Sequence, residues 1–468
     1  MSRFSTLLPG HFHYIAACKA RQPQVALHEI LGALSHAIDM TAGQPAGHAI
    51  RCTWMGMQIA AQLKMTDEAR ADLYYTLMMK DLGCSSNAAR ISALYLADDI
   101  SFKREYRKIG SGLSAVLRLV IQQTGLQAGL AERIRATLYN LRNGDQFSRE
   151  LIETRCHKGA DIAAKLRFSP AVQDGIRALD EHWDGGGKPL GLASVQIPLA
   201  ARIALLCQVV DVYHQESGPD AALAEARRRA GGWFDPNIVA AFEKAAAADT
   251  FWISQDDPEI ATAVYAMAPQ APSFEIDEAY LDDIAEAFAD VIDAKSPYTA
   301  DHSRRVTLYA DVIAEELGLG AAHRRWLRRA ALLHDIGKLA VSNQILDKPG
   351  RPTEEEWRSI RDHPAHTIAI LSRVSAFADL AIVAGGHHER LDGTGYPEGL
   401  TAEDLCFEAM ILATADVYDA LTADRPYRAA MPHSAAMAIL HDGVGTAHHG
   451  LCVSALEAGL NRLAVLAN

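Results

Sequence analysis

A chain of 468 residues with 49% hydrophobic content and a formal charge of −13 has room for two or three domains, each with an ordinary core. The acidic balance argues against nonspecific binding to DNA or to an anionic membrane, so a phosphate-bearing ligand needs locally gathered metal, Arg or Lys. The seven cysteines (Cys18, Cys52, Cys84, Cys156, Cys207, Cys406, Cys452) have no paired spacing and read as reduced core thiols of a cytoplasmic protein, not as zinc ligands or disulfides. No apolar run reaches membrane-spanning length, because Arg202 interrupts the best candidate. Pro9, His11, His13 and Lys19 break any signal-peptide core.

Taken in order, the sequence shows helical periodicity throughout and few alternating stretches, which predicts an all-α protein. Leu27 to Gly83 can be laid over Leu281 to Gly337 without a gap, so that Ile38-Asp39 meets Ile292-Asp293, His48 meets His302, Arg51 meets Arg305, and Lys80-Asp81 meets His334-Asp335. With small gaps, Cys156-His157-Lys158 lies near Asp362-His363-Pro364, Trp183 to Pro189 over Leu391 to Pro397, and Val210 to Tyr213 over Ala415 to Tyr418. This self-similarity predicts two tandem copies of one helical module. The stretch Ala268-Pro269-Gln270-Ala271-Pro272-Ser273 reads as a linker. The expected division is a first module over 1–250, a linker over 251–275 and a second module over 276–468.

In the second module, Asp301 or Thr299 is expected to cap a helix carrying His302. A second helix, with Leu327, Ala330 and Leu333 inward, should deliver His334 and Asp335 at its end, where Gly337 suits a helix C-terminus. Thr353-Glu354-Glu355-Glu356 has the form of a capping box, opening a helix expected to carry His363 and stop near Pro364. A further helix should end at His387-His388, and Asp416 falls on a largely apolar helix where an unpaired carboxylate is costly. A His-Asp dipeptide alone is weak evidence, since a lone histidine is usually structural. Here His302, His334, Asp335, His363, His387, His388 and Asp416 are all expected to converge. Such a set is too large for one ion and suits two, and imidazole and carboxylate without thiolate favour iron or manganese, with nickel, cobalt or zinc as lesser choices.

From about Leu281 to Leu456 the chain resembles the HD-GYP phosphodiesterases, a branch of the HD-domain metal phosphohydrolases. The likeness rests on the His334-Asp335 dipeptide, on the run His387-His388-Glu389 followed by Asp392-Gly393 and Gly395-Tyr396-Pro397, and on Asp424-Arg425-Pro426-Tyr427-Arg428. The resemblance implies that His302, His334, Asp335 and Asp416 hold one metal, and that Asp335 bridges to a second held by His363, His387 and His388. Members with a third metal carry a glutamate one turn before the first histidine. Tyr298 stands there in this chain, so two ions are expected. The implied activity is hydrolysis of a cyclic dinucleotide, cyclic di-GMP foremost, to the linear dinucleotide or to GMP. 3',3'-Cyclic GMP-AMP is the alternative substrate, and a noncatalytic signalling scaffold is the alternative from another class. Lys338 is expected at a nonbridging phosphate oxygen and as a catalytic partner of Asp335, and Arg425 and Arg428 at the second phosphate. The loop holding Gly395 and Tyr396 is expected to border the substrate and to offer a surface to a signalling protein; a homodimer is left open.

The first copy departs from this pattern where the chemistry is most demanding. Lys80 replaces His334, Leu179 and Asp180 replace the paired histidines, Cys84 replaces Lys338, and Lys188 replaces Tyr396. His48, Asp81, His157 and Asp211 are read as survivors. An ammonium has no lone pair to offer a metal, so the first module is expected to hold no metal.

Overall fold

The computed structural model describes residues 27–107, 119–125, 129–269, 277–296, 301–348, 350–424 and 428–467. Their regular elements are helices; isolated β-bridges join Ala230 to Phe234, Asp392 to Thr401 and Val444 to His448. The chain divides into two compact units, one made mainly of residues 30–283 and one mainly of residues 284–468. Part of the stretch expected as a linker is helical, in Asp249–Gln255 and Ile260–Ala266. Phe251 stacks edge-on at 4.9 Å from Trp54, and Val264 is fully buried. These apolar side chains tie the segment into the first unit. Residues 270–276, with most of the Pro-rich stretch, lie outside the described residues, as do Cys18, Tyr298, Thr299 and Arg425.

In the first unit the helix His48–Gln62 is buried along almost its whole length and packs on the helices Asp67–Met79 and Leu199–Arg229. Local signals set the helix starts: Thr66 and Ser169 accept from the backbone N–H groups of Ala69 and Val172, and Asp235 accepts from Asn237. The long Leu199–Arg229 helix is broken at Gly218, whose φ of 82° precedes Pro219.

The second unit is built around the helix His302–Glu316, which packs on Ala321–Leu333, Phe407–Thr422 and Gly450–Ala467. Asp301 enters it with a φ of 58° and makes no side-chain cap, so the expected cap is absent there. The Thr353–Glu356 capping box forms in both directions. Its helix, Glu354–Arg361, ends before His363, which opens the next helix, His363–Leu371. Pro364 begins that helix instead of stopping the previous one, because the first helical position needs no N–H. The helix Ala378–Gly385 ends just before the paired histidines. Gly337 does not end a helix through a left-handed turn. It lies in the short helical turn Ile336–Ala340, where a Cβ would stand 1.9 Å from the His363 carbonyl oxygen. Gly385 likewise leaves room for Ile368, which a Cβ would meet at 2.3 Å.

Several local arrangements recur in the two units. The helices His48–Gln62 and Asp67–Met79 match His302–Glu316 and Ala321–Leu333 in length and spacing. A Cβ at Gly83 would stand 1.9 Å from the Arg155 carbonyl oxygen, the same distance at which one at Gly337 would stand from that of His363. Lys188-Pro189 and Tyr396-Pro397 are both cis. These correspondences shift two positions of the sequence alignment. Arg155, not His157, stands where the second unit has His363, and His157 is exposed. Counted from the helix starts at Leu199 and Phe407, Asp211 is level with Asp419, and Gln208 is level with Asp416. The shared Asp-Val-Tyr tripeptide had suggested a register displaced by less than one turn.

Candidate metal centre

The expected ligand residues meet in the second unit. His302, His334, Asp335, His363 and His387 are all 0–1% exposed, Asp416 is 7% exposed, and His388 is partly open. Asp335 lies between two groups of imidazoles. Its Oδ2 is 3.3 Å from His302 Nε2 and 3.4 Å from His334 Nε2, and its Oδ1 is 3.3 Å from His363 Nε2 and 3.9 Å from His387 Nε2. Asp416 adds Oδ1 at 3.3 Å from His302 Nε2 and 3.8 Å from His334 Nε2, with Oδ2 at 4.0 Å from His388 Nδ1.

The outward nitrogens are pinned. Nδ1 of His334 donates to the Ala331 carbonyl (2.7 Å), that of His363 to Ile360 (2.6 Å), and that of His387 to Ala384 (2.5 Å). Nδ1 of His302 donates to Asp419 Oδ2 at 2.7 Å. Each of these bonds fixes the tautomer that turns an Nε2 lone pair inward, the usual setting of a metal-binding imidazole. His334 Nε2, His302 Nε2 and Asp335 Oδ1 are buried without hydrogen-bond partners, and His363 Nε2 faces His387 Nε2 at 3.2 Å. Buried groups so arranged call for a cation among them. The residues present fit divalent metal: the groups His302–His334–Asp335, His363–His387–His388 and His334–His387–Asp416 each place their ligand atoms within 4.8 Å of one another.

Electrostatics agree. Burial and the neighbouring imidazoles hold His387 well below its ordinary range, and burial lowers His388 to about 3, so both offer lone pairs at neutral pH. Burial opposes the charge of Asp335 and Asp416, yet the surrounding imidazoles, with Lys338 beside Asp335, keep both carboxylates well below the usual range. Burial also opposes charge on His302, but Asp335, Asp416 and Asp419 outweigh it and raise the imidazole to about 10.

The residues expected around the nest have mixed placements. Lys338 Nζ lies 2.6 Å from Asp335 Oδ2 and its side chain is 17% exposed. Arg428 donates to the Ala420 carbonyl on the helix bearing Asp416. Tyr396 is half-buried with its ring 4.8 Å from that of His388. Gly395 is small for a backbone reason: a Cβ there would stand 2.5 Å from Glu389 Cα and Arg390 N.

Two residues escaped the sequence reading. Asp419 receives His302 Nδ1 and, at 2.6 and 3.1 Å, Arg305 Nε and Nη2. Its position one turn after Asp416 was the available signal. Glu389 is 4% exposed and accepts the backbone N–H groups of Glu398, Gly399 and Leu400 at 2.7, 3.2 and 3.0 Å, so one carboxylate shapes the loop that follows the histidines. Glu181 does the same for Leu190, Gly191 and Leu192 in the first unit.

In the first unit, cationic side chains pair with aspartates in and near the core. Lys80 is 1% exposed and pairs with Asp81, whose other oxygen receives Cys84 Sγ at 3.4 Å. Arg155 pairs with Asp180. His48, Cys52 and Asp211 also come close enough to hold an ion, but Asp211 already receives His48 Nδ1 at 2.6 Å and Arg51 at 2.6 and 3.0 Å. Burial and the Lys80 ammonium hold His48 down at about 4, the reverse of His302.

No helix of the described residues is long and apolar enough to cross a membrane. The HD domain family profile matches residues 129–238 and 286–450. The 3'3'-cGAMP-specific phosphodiesterase 3 of Vibrio cholerae is 48% identical over 437 residues, spanning 93% of this chain and 95% of the relative. The crystal structure of a cyclic GMP-AMP specific phosphodiesterase from V. cholerae is 44% identical, covers 93% of this chain and 97% of that one, and superposes with a TM-score of 0.64. A cyclic di-GMP phosphodiesterase response regulator of Xanthomonas campestris is 40% identical over 177 residues, 37% of this chain and 47% of the relative. With the histidine–aspartate nest and the Gly395-Tyr396-Pro397 loop in place, this chain belongs to the HD-domain family and is a metal-dependent phosphodiesterase of its HD-GYP branch.

Proposed function

We propose that the second unit hydrolyses 3',3'-cyclic GMP-AMP, using two divalent ions held by His302, His334, Asp335 and Asp416 on one side and Asp335, His363, His387 and His388 on the other. The observation that carries the centre is Asp335, whose two oxygens face separate imidazole groups at 3.3 Å. The choice of substrate is supported by the relative named for it, which is similar over 93% of this chain. Cyclic di-GMP is the second reading, supported by the relative named for that substrate, whose likeness spans 37% of this chain.

Bound iron or manganese in such a nest supplies Lewis acidity and lowers the pKa of water to near neutrality. The protein holds the geometry: pinned Nδ1 atoms keep the imidazoles oriented, and burial keeps competing water out. Lys338, paired with Asp335 at 2.6 Å, exchanges that partner for a nonbridging oxygen of the scissile phosphate. Attack by water breaks the bond from phosphorus to the 3' oxygen; the leaving oxygen takes a proton and the phosphate stays on the 5' side, giving a linear dinucleotide. Arg428 closes the helix that carries Asp416, and its remaining donors are available to the second phosphate. Anaerobically prepared, iron- or manganese-loaded protein should contain about two ions per chain, the capacity of this ligand set. It should cleave 3',3'-cyclic GMP-AMP with a higher kcat/KM than cyclic di-GMP. The reverse ranking favours the second reading, and a metal-free, inactive preparation favours a signalling scaffold.

The first unit is proposed to be a decayed copy of the same module in which side-chain cations took over from metals. Lys80 stands at the His334 position, Arg155 at that of His363, and Gln208 at that of Asp416. Each cation has a buried or half-buried aspartate to neutralise.

A further inference from the structure

A run of flat groups begins at the metal nest and ends in two side chains, Arg361 and Trp357, that nothing described above uses. It starts at His388, whose ring centroid is 4.8 Å from that of Tyr396, with 33° between the ring planes. The guanidinium carbon of Arg361 lies 5.7 Å from the Tyr396 ring centroid, and the same carbon lies 5.9 Å from the ring of Trp357. Trp357 and Arg361 stand one turn apart on the helix Glu354–Arg361 and so share a face. The capping box and a Lys348–Glu356 ion pair at 2.6 Å hold the start of this helix. Trp357 is 39% exposed and Arg361 is exposed, although the chain buries most of its large apolar side chains. Among the described residues, Arg361 forms no ion pair with a carboxylate.

Aromatic faces and guanidinium planes are the surfaces on which unpaired bases stack. With a diester in the nest, a base directed past the Tyr396 ring would next meet Arg361 and Trp357, both exposed. We propose that Trp357 and Arg361, continuing from Tyr396, form the stacking subsite for one purine of the dinucleotide. This assignment rests on the cyclic dinucleotide reading and adds to it the residues that grip a base. A cation–π pair serving only helix stability would leave the same contacts but would not discriminate between substrates with and without a base.

The test compares the full-length, metal-loaded protein on 3',3'-cyclic GMP-AMP and on methyl p-nitrophenyl phosphate, a diester with no nucleobase. Trp357→Ala and Arg361→Ala should each raise KM for the dinucleotide about tenfold, within the range seen when one stacking partner is removed. Metal content and the rate on the small diester should stay as in the wild type, and Trp357→Phe should recover most of the lost affinity. Equal losses on both substrates, or an unchanged KM for the dinucleotide, would overturn the subsite while leaving the proposed function standing. A wild-type protein that cleaves the small diester but neither cleaves nor binds a cyclic dinucleotide would overturn both.

Discussion

His334→Lys is the sharpest single change to make, because the first unit already displays its counterpart. There, Lys80 reaches Asp81 and neutralises it within a buried site. An ammonium at His334 would pair with Asp335 in the same way and put a fixed positive charge where a cation must bind. His334→Ala removes one ligand and leaves the others. Metal content and activity should therefore fall from wild type to Ala to Lys, with helical content kept in both variants; elemental analysis and circular dichroism report the two. Lys338→Ala should keep the metals and lower kcat/KM by about 2–3 kcal/mol in transition-state binding, typical of one preorganised donor. Asp419→Asn acts on the metals through His302: the amide can donate to Nδ1 and reverse the tautomer, so metal affinity should drop roughly 10–100-fold. The residues that gather around Asp335 were legible in the sequence because histidine and aspartate are conspicuous in apolar helices. Asp419 and Glu389 were not, since their work is to receive hydrogen bonds from His302, Arg305 and a loop backbone, and that is set by three-dimensional proximity.

Apart from Asp416, which lies within the Phe407–Thr422 helix, helix ends bring the nest together, and the joints between helices are where small residues matter. The turn Ile336–Ala340 lies so close to the start of the His363–Leu371 helix that only glycine fits at position 337. Gly337→Ala should cost about 1–3 kcal/mol, as overpacking does. It should also shift His363, weakening metal binding without touching a ligand; chemical denaturation read together with metal titration checks this. Helix existence followed from periodicity, and the Thr353 capping box and the Phe407–Thr422 helix were readable in advance. The joints were harder. Proline at 364 reads equally as a stop or a start, and the pair Gly385-Gly386 has no meaning until Ile368 is seen packed against Gly385. The same holds for Asp211, whose register against Asp416 or Asp419 is decided by the helix start at Leu199 and by its partners His48 and Arg51.

At the scale of the whole chain, the two units should answer to different chemistry. Metal stabilises only the fold that binds it, so chelation should lower an unfolding transition belonging to the second unit. The first unit carries Asp39, whose buried oxygens have no hydrogen-bond partner and whose carboxyl burial pushes up to about 7. A raised folded-state pKa means that folding takes up a proton. That contribution to stability is complete below the ordinary carboxyl range and is lost as pH rises through about 7. Asp39→Asn should therefore raise the melting temperature of the first unit more at pH 8 than at pH 5. Calorimetry of the full chain should show the transition moved by chelator and the transition moved by Asp39→Asn to be different ones.

The paired cations of the first unit also close a door in sequence space. Lys80 cannot become histidine alone without stranding Asp81, and Arg155 cannot change alone without stranding Asp180. Breaking a buried pair from one side costs about 3–5 kcal/mol, a large part of what holds a domain of this size together. Gln208, Leu179 and Asp180 would all have to change before an ion repaid any of that loss. Each single substitution toward a metal centre is destabilising on its own, so the internal salt links act as a ratchet: the unit is free to drift in its surface, but a metal centre there is several coupled changes away.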